Sequence, residues 1–478
     1  MTSPPPGSAA PVWVRAADAL AVTFLCLGLF TLVFGGVELF LGPLPIRIHS
    51  PSRLLFLFAA IVAVRHAAHP GTPLHRRLLR RRDAEDSPAR IVRGALVSRI
   101  VVLIVGYLAV VTIGLDEKAG FKLSPDPAFN LVARFDAGWY SGIAMGGYYF
   151  QGRFDRQQNV AFFPAFPMLM RAVGYPLGGF RPDVPRERRA ARILWGGVII
   201  SLVAFAWASV YLWRLARDTI GEDRAGTAVA LMAAYPFAVF FSAPYTEAVF
   251  LLGAVGAVYH FRRGELLPAA AWGLLVGLTR PNGCLLSVVL AVLALDFRLK
   301  PDFRLKAEAT RRVSLAPSML AAAAPGIGML LYSAYVHQLT GAWFGWARLH
   351  EAWGRSYEGL APVTRAYGWL TQEGLLQVVQ NVPYDAINSL GLIFALAMLW
   401  PVVRRLGVAY ALFVLVNVIP PLLAGGVLSM GRLTATVFPL FLALAAVTPP
   451  RAVTPLITAF AIGQGLVATL FFTWRSLF

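Results

Sequence analysis

Apolar residues recur along this chain in runs at 17–42, 53–65, 99–114, 192–213, 226–243, 245–262, 265–279, 283–297, 315–336, 386–402, 406–424, 433–448 and 452–473. A helix needs about 20 mainly apolar residues to cross the hydrocarbon of a bilayer, so the runs predict about eleven to thirteen spans. In lipid every backbone polar group must be satisfied within the protein, and membrane strands would alternate apolar with polar residues. None of the runs alternates in that way. The pattern predicts an all-α fold, a polytopic transmembrane helical bundle. The run 53–65 and the two runs flanking Arg280 are short, and tilted or half-embedded helices are expected there.

Polar segments between the runs set the expected orientation. Arg65 to Arg99 holds nine Arg and Phe297 to Arg312 holds six Lys or Arg, which the positive-inside rule places on the cytoplasmic side. By alternation, the links around Arg214 to Arg224, Arg262–Arg263, Arg404–Arg405 and Arg451 also fall inside, and the two long loops 115–191 and 337–385 fall outside. Loop 115–191 carries ten Lys or Arg, but loops longer than about 60 residues are translocated with little regard to charge. An anionic ligand is one explanation for that charge. Three regions follow from this layout: 1–94 with N-terminal spans and a basic cytoplasmic link, 95–300 with loop 115–191, and a C-terminal transmembrane region 301–478 with loop 337–385.

Composition agrees with a lipid-embedded chain. Of 478 residues, 14% are charged and 58% hydrophobic, against about a quarter charged in soluble domains. A net charge of +19 in a soluble protein would suggest nucleic acid; here much of it lies in short links between apolar runs, and no nucleic-acid partner is expected. Cys26 and Cys284 each lie inside an apolar run, where a thiol behaves as a small hydrophobe and no disulfide framework is implied. The Pro- and Ser-rich stretch Met1 to Val12 lacks the basic start of a cleavable signal peptide, so the first span is expected to stay as an anchor. The near-repeat of Phe297-Arg-Leu-Lys-Pro-Asp302 in Phe303-Arg-Leu-Lys-Ala-Glu308 reads as a tolerated insertion and receives no role.

Chemistry concentrates in loop 115–191. It contains Arg134-Phe-Asp-Ala-Gly-Trp-Tyr140, Ile143-Ala-Met-Gly-Gly-Tyr-Tyr149 and Asn159-Val-Ala-Phe-Phe-Pro-Ala-Phe-Pro167. Such aromatics also form interfacial belts, and an Asp such as Asp136 is common in turns and helix caps. Yet Asp136 follows a span and is trailed by Trp139 and Tyr140 about one helical turn on, which suits a carboxylate facing a substrate at the bilayer surface. The stretch 160–177, broken by Pro164, Pro167 and Gly174, suits a helix lying in the interface. The outer ends of other runs offer Tyr245-Thr-Glu247, Thr279-Arg-Pro-Asn282 and Ser429-Met-Gly-Arg432. Polar groups from distant parts of the chain are thus expected to converge on one face.

These segments, together with Phe241-Ser-Ala-Pro-Tyr-Thr-Glu-Ala-Val-Phe250 and Gly277-Leu-Thr-Arg-Pro-Asn-Gly283, resemble the successive motifs of the PIG-V-like mannosyltransferases, in the same order. That family falls in the GT-C superfamily of multi-spanning glycosyltransferases, which use polyprenyl-phosphate sugars. The resemblance covers about 95–300, with a Ser-Met-Gly-Arg and Phe438-Pro439 continuation. Phe135 stands where the family usually has Trp.

The resemblance implies a membrane glycosyltransferase that moves a hexose, mannose by analogy, from a polyprenyl-phosphate donor to a hydroxyl of a glycolipid or glycan acceptor, on the non-cytoplasmic face and with inversion. Asp136 is the implied catalytic base. A phosphate leaving group calls for cations, and Arg280, Arg432 and Arg134 are the candidates in that order. Arg280 and Arg432 lie between apolar stretches, where a charge should face a wet or anionic cavity or else snorkel to headgroups. Tyr245, Glu247, Asn282, Trp139 and Tyr140 complete the expected substrate site, with an ion pair the alternative role for Glu247. Trp343, Trp346 and Trp353 are expected either to cover the sugar or to anchor at the interface. No cofactor is expected, and no His or Cys cluster with zinc spacing is visible. Membrane lipids and the lipid-linked donor are the expected partners, in a multi-pass protein of the inner membrane if the source is bacterial. The competing readings are a transporter or flippase of a lipid-linked sugar, for which no internal repeat is found, and an inactive scaffold of the same fold.

Overall fold

The computed structural model describes residues 11–34, 37–41, 44–48, 50–70, 87–299 and 314–477. The arginine run 76–82 and the near-repeat from Lys300 onward lie outside the described residues. The chain divides into two units, Met1–Ser87 with Tyr175–Gly178, and Pro88–Gly174 with Gly179–Phe478.

In the first unit, helix α1 (Val12–Phe34) is followed by strands β1 (Val37–Leu41) and β2 (Leu44–Ile48) and by helix α2 (Pro51–Ala68). The apolar run 17–42 is therefore not one helix. Two glycines follow Phe34 in the sequence and weaken helix propagation, and the Val- and Ile-containing segment beyond them pairs as an antiparallel hairpin with Val37 opposite Ile48. This hairpin is the one sheet among the described residues. Arg65, counted above as part of a cytoplasmic link, is buried within α2 with its Nε 2.8 Å from Asp18 Oδ1.

In the second unit, α3 (Pro88–Ile113) leads into a long segment carrying α4 (Pro127–Asn130), α5 (Ala137–Gly146) and α6 (Ala165–Gly174). There follow α7 (Arg186–Ile220), α8 (Glu222–Ala234), α9 (Glu247–Arg262), α10 (Leu266–Gly277), α11 (Leu286–Leu299) and α12 (Leu315–Thr340). A second long link holds α13 (Gly345–Leu349), α14 (Ala361–Glu373) and α15 (Leu375–Asn381). The chain then forms α16 (Pro383–Leu406), α17 (Val408–Gly425), α18 (Met430–Ala435), α19 (Phe438–Val447) and α20 (Pro450–Phe472).

Among the described residues, eight helices are long and apolar enough to cross a membrane, and nine if α8 is joined to the 3-10 segment Pro236–Ser242, from which it is bent by 82°. The protein is a multi-pass membrane protein. Four of the apolar runs become shorter elements: α9 has 16 residues, α10 has 12, α11 has 14 and α19 has 10. At 1.5 Å per residue these span about 15–24 Å, less than the ~30 Å hydrocarbon. Pro and Gly at their ends shorten them, and the breaks are where the polar motifs sit. The interfacial helix expected over 160–177 is the ten-residue α6, with Phe166, Met170 and Gly174 buried and Met168 and Leu169 exposed.

The bend at Tyr235–Pro236 follows from sequence. Proline has no N–H to donate and forces the preceding residue out of the helical region; Tyr235 adopts φ −53° and ψ 137°. The carbonyls freed there are recaptured by side chains. Gln464 of α20 donates to Ala233 O at 3.0 Å and to Tyr235 O at 2.8 Å, and the Arg99 guanidinium donates to Ala233 O and Ala238 O. Arg99 was expected in a cytoplasmic link, but it lies within α3, fully buried, with its charge met by carbonyls and by the Phe205 ring at 5.0 Å. The break carries the chain into α9, whose side chains are buried on nearly every face, the mark of a helix enclosed by others.

Gly277 fixes the crossing of α10 with α12. A Cβ there would lie 1.9 Å from Pro325 O, so only glycine permits this approach, and the chain leaves α10 directly toward Arg280.

Candidate active site

Asp136 is the residue immediately before α5, at φ −60° and ψ −16°, and its side chain makes no capping hydrogen bond. The cap role available to it in sequence is therefore unused. Its carboxylate instead accepts a hydrogen bond from Arg432 Nη1 at 2.8 Å.

The backbone around Asp136 is held from both sides. Phe135 has φ 43°, a left-handed conformation that costs a bulky residue of order 1–3 kcal/mol and persists only where neighbours impose it. Its ring packs on Phe471 and Trp474, with centroids 5.8 and 4.6 Å away. The Asp136 N–H donates to the Tyr245 hydroxyl at 3.1 Å, and that hydroxyl donates to Arg134 O at 3.1 Å. Arg134 itself donates to Phe472 O at 2.6 Å, Asn130 O at 2.6 Å and Ala133 O at 2.8 Å. Burial lowers its pKa to about 9. Arg134 thus braces the turn from beneath and is not brought to the ionic centre.

Three further charges from separate parts of the chain join Asp136 in series, Arg432 directly, Glu247 through Arg432 and Arg280 through Glu247. Glu247, in the first turn of α9, is 2% exposed; its Oε1 lies 3.4 Å from Arg432 Nε and 3.7 Å from Arg280 Nη2. Arg280 sits in extended backbone between α10 and the 3-10 turn Pro281–Leu285, with its guanidinium over the Phe250 ring at 4.2 Å. Glu247 Oε2 and Arg280 Nε and Nη2 are buried without hydrogen-bond partners. Buried polar atoms left open in this way mark a place where a ligand or water completes the network. Arg432, in α18, lies over the Tyr245 ring at 5.6 Å. Burial opposes its charge, but Glu247 and Asp136 hold its pKa above the ordinary range. An Asp, a Glu and two Arg, drawn from loop 115–191, α9, the 280 turn and α18, form one cluster.

The remaining candidates take different places. Tyr140 is buried against Phe162, Phe166 and Tyr245, and burial, followed by the charges of Asp136 and Glu247, raises its hydroxyl pKa. Trp139 stacks on Phe162 at 5.7 Å. Asn282 donates to Asn417 Oδ1 at 2.8 Å, a tie between the 280 turn and α17 and not a contact of the cluster.

Two residues of the second link, His350 and Arg355, were not foreseen. Burial and then Arg355 push the His350 pKa down to about 4, opposed by Asp136. Burial and then Arg432 lower Arg355 to about 10, again opposed by Asp136. Arg355 Nη2 also donates to Leu428 O at 3.2 Å, next to Ser429, whose φ of 61° begins the turn into Arg432. The run His350-Glu-Ala-Trp-Gly-Arg355 interleaves charge with aromatics as the first loop does, and that was the available signal. Among the described residues, no group of three or more His, Cys, Asp or Glu is placed to hold a metal.

The fold and this cluster define a multi-pass membrane protein with an ionic centre assembled at broken helix ends, and the comparisons make its class a glycosyltransferase. Residues 126–338 match the family model described as mannosyltransferase (PIG-V), and the chain is PIG-V-like. The matched range holds Asp136, Glu247 and Arg280, while Arg432, His350 and Arg355 lie beyond it. A comparison with curated proteins finds no match.

Proposed function

We propose that this protein transfers a hexose, mannose by its family, from a polyprenyl-phosphate donor to an acceptor hydroxyl on the non-cytoplasmic face, with inversion at the anomeric carbon. The observation that carries the reading is the Asp136–Arg432–Glu247–Arg280 cluster, with its open buried atoms on Glu247 and Arg280. Asp136 takes the proton of the acceptor hydroxyl as its oxygen attacks C1; the bond from C1 to the phosphate oxygen breaks, and polyprenyl phosphate leaves with the electron pair. General-base help of this kind contributes about 10²- to 10⁴-fold. Arg280 and Arg432 meet the growing phosphate charge, which has no pyrophosphate for a divalent ion to bridge. Glu247 keeps the two guanidinium groups together before the donor arrives. Arg134, tied to three carbonyls, positions the base, and Asn282 positions the turn that presents Arg280. The two long loops then lie on the outer side, in an inner membrane if the source is bacterial.

The test is Asp136→Asn, assayed for transfer from a polyprenyl-phosphate mannose in detergent. Transfer is expected to fall at least 10²-fold while donor binding persists; transfer at the wild-type rate would remove Asp136 as the base.

A further inference from the structure

The second link meets the first at a corner of aromatic rings beside the ionic cluster. Trp139 and Phe162 stack at 5.7 Å with planes 19° apart, and Trp353 stands edge-on to both, 5.7 Å from each at 68° and 80°. All three rings are half-buried. The corner is joined to the cluster twice: the Trp139 backbone N–H donates to the Asp136 backbone O at 3.0 Å, and Tyr140 packs its ring edge-on to Phe162 at 5.2 Å. Two other tryptophans of the link are committed elsewhere. Trp346 donates to Ser333 Oγ at 2.9 Å and packs on Phe163, and Trp343 stacks on His337 at 4.9 Å.

Trp353 is held in place from both sides. Gln157 of the first loop donates to Ala352 O at 3.2 Å, and Gly354, at φ 71°, turns the chain so that Arg355 reaches Leu428 O. The segment from His350 to Arg355 is therefore fastened across the cluster with one ring facing two from the other loop.

We infer that Trp139, Phe162 and Trp353 form a subsite for a pyranose ring of the acceptor, and that Trp353 is a specificity residue supplied by the second link. A pyranose presents an apolar face of C–H groups that lies well on an aromatic ring, and its hydroxyls stay at the rim. The corner adjoins the turn that carries the base, Asp136, through Trp139, whereas Arg280, with its open guanidinium nitrogens, is linked to Asp136 only through Glu247 and Arg432. That arrangement gives the ring to the acceptor. The assignment of the ring to the acceptor rests on the reading of Asp136 as base.

The test uses the full-length protein in detergent with methyl α-D-mannopyranoside as probe, read by saturation-transfer NMR in the Asp136→Asn variant so that no turnover intervenes. Saturation is expected on the C–H protons of one ring face. It should fall several-fold in Trp353→Ala, stay within about twofold in Trp353→Phe, and be unchanged in Trp343→Ala. Phe162→Leu removes the facing ring from the other loop and should reproduce the loss even if Trp353→Ala aggregates. Equal saturation in Trp353→Ala and Trp343→Ala, or none in the unaltered corner, overturns the inference. Binding that depends on Trp353 in a protein with no transfer activity would sink the proposed reaction and leave the sugar subsite standing.

Discussion

The Asp136 carboxylate accepts a hydrogen bond from Arg432 at 2.8 Å across 296 residues of chain, so the proposed base rests against a cation. The pair occupies carboxylate oxygen Oδ2 of Asp136 with the Arg432 guanidinium. Donor phosphate competing for Arg432 would release it, which couples readiness of the base to occupancy of the donor site. Arg432→Gln is expected to lower kcat/KM for the lipid donor by about 10²- to 10³-fold. Because the two residues act together, the Asp136→Asn, Arg432→Gln double variant should lose much less than the product of the single losses. Multiplicative losses in steady-state assays would show that the pair does not act as a unit.

The Tyr245 hydroxyl is the bridge between Asp136 N–H and Arg134 O. Tyr245→Phe leaves both buried groups without that partner, which costs about 1–3 kcal/mol. A lower thermal midpoint in detergent is expected, together with a larger fall in kcat than rise in KM, since the turn that aims the carboxylate loosens. An unchanged kcat would argue that Phe135 and Arg134 hold the turn unaided.

Gln464 closes carbonyls opened by the bend at Pro236. Gln464→Leu removes two hydrogen bonds and should destabilise by about 1–3 kcal/mol, although Ala233 O keeps Arg99 and Tyr235 O keeps the Ala238 N–H. Transfer by the protein that remains folded should stay near wild type, because Gln464 touches none of the cluster. Thermal unfolding and specific activity measured on the same sample separate the two effects.

The His350 pKa lies near 4 in the folded protein against about 6.5 for an unperturbed imidazole. Between those values the unfolded chain binds more protons, so stability rises with pH through the window, is complete above about 6.5 and is lost as pH falls toward 4. His350→Gln should flatten the pH dependence of the thermal midpoint between pH 6.5 and 4. Parallel curves for variant and wild type would place the titration elsewhere.

A methyl group at Gly277 would sit 1.9 Å from Pro325 O. Gly277→Ala is expected to push α10 from α12 and displace Arg280, with transfer lost well before the protein aggregates. Size-exclusion chromatography beside the transfer assay checks this, and normal activity in Gly277→Ala would mean the crossing has slack.

Membrane class and helical fold were legible because lipid leaves the backbone few choices, and an apolar run of sufficient length declares itself. Asp136, Glu247, Arg280 and Arg432 were legible as polar groups at the ends of such runs. Arg65 and Arg99 misled the count of cytoplasmic charge, because a basic residue at the edge of a run looks the same whether it faces water or is buried against Asp18 or a set of carbonyls. Four runs read as spans became short helices, because apolar composition does not reveal where Pro and Gly end a helix.

The sequence by itself determined the solvent this protein lives in, its helical class and which polar residues stand out against an apolar background, since each depends on composition over one or two helical lengths. Tertiary structure decided which of those residues meet. It tied Arg134 to carbonyls and Asn282 to Asn417, set Arg432 against Asp136, and brought Trp353 from the second link onto Trp139 and Phe162. Such pairings join segments far apart in the chain, and they follow from how broken helices pack and recapture their open polar groups, which no local pattern encodes.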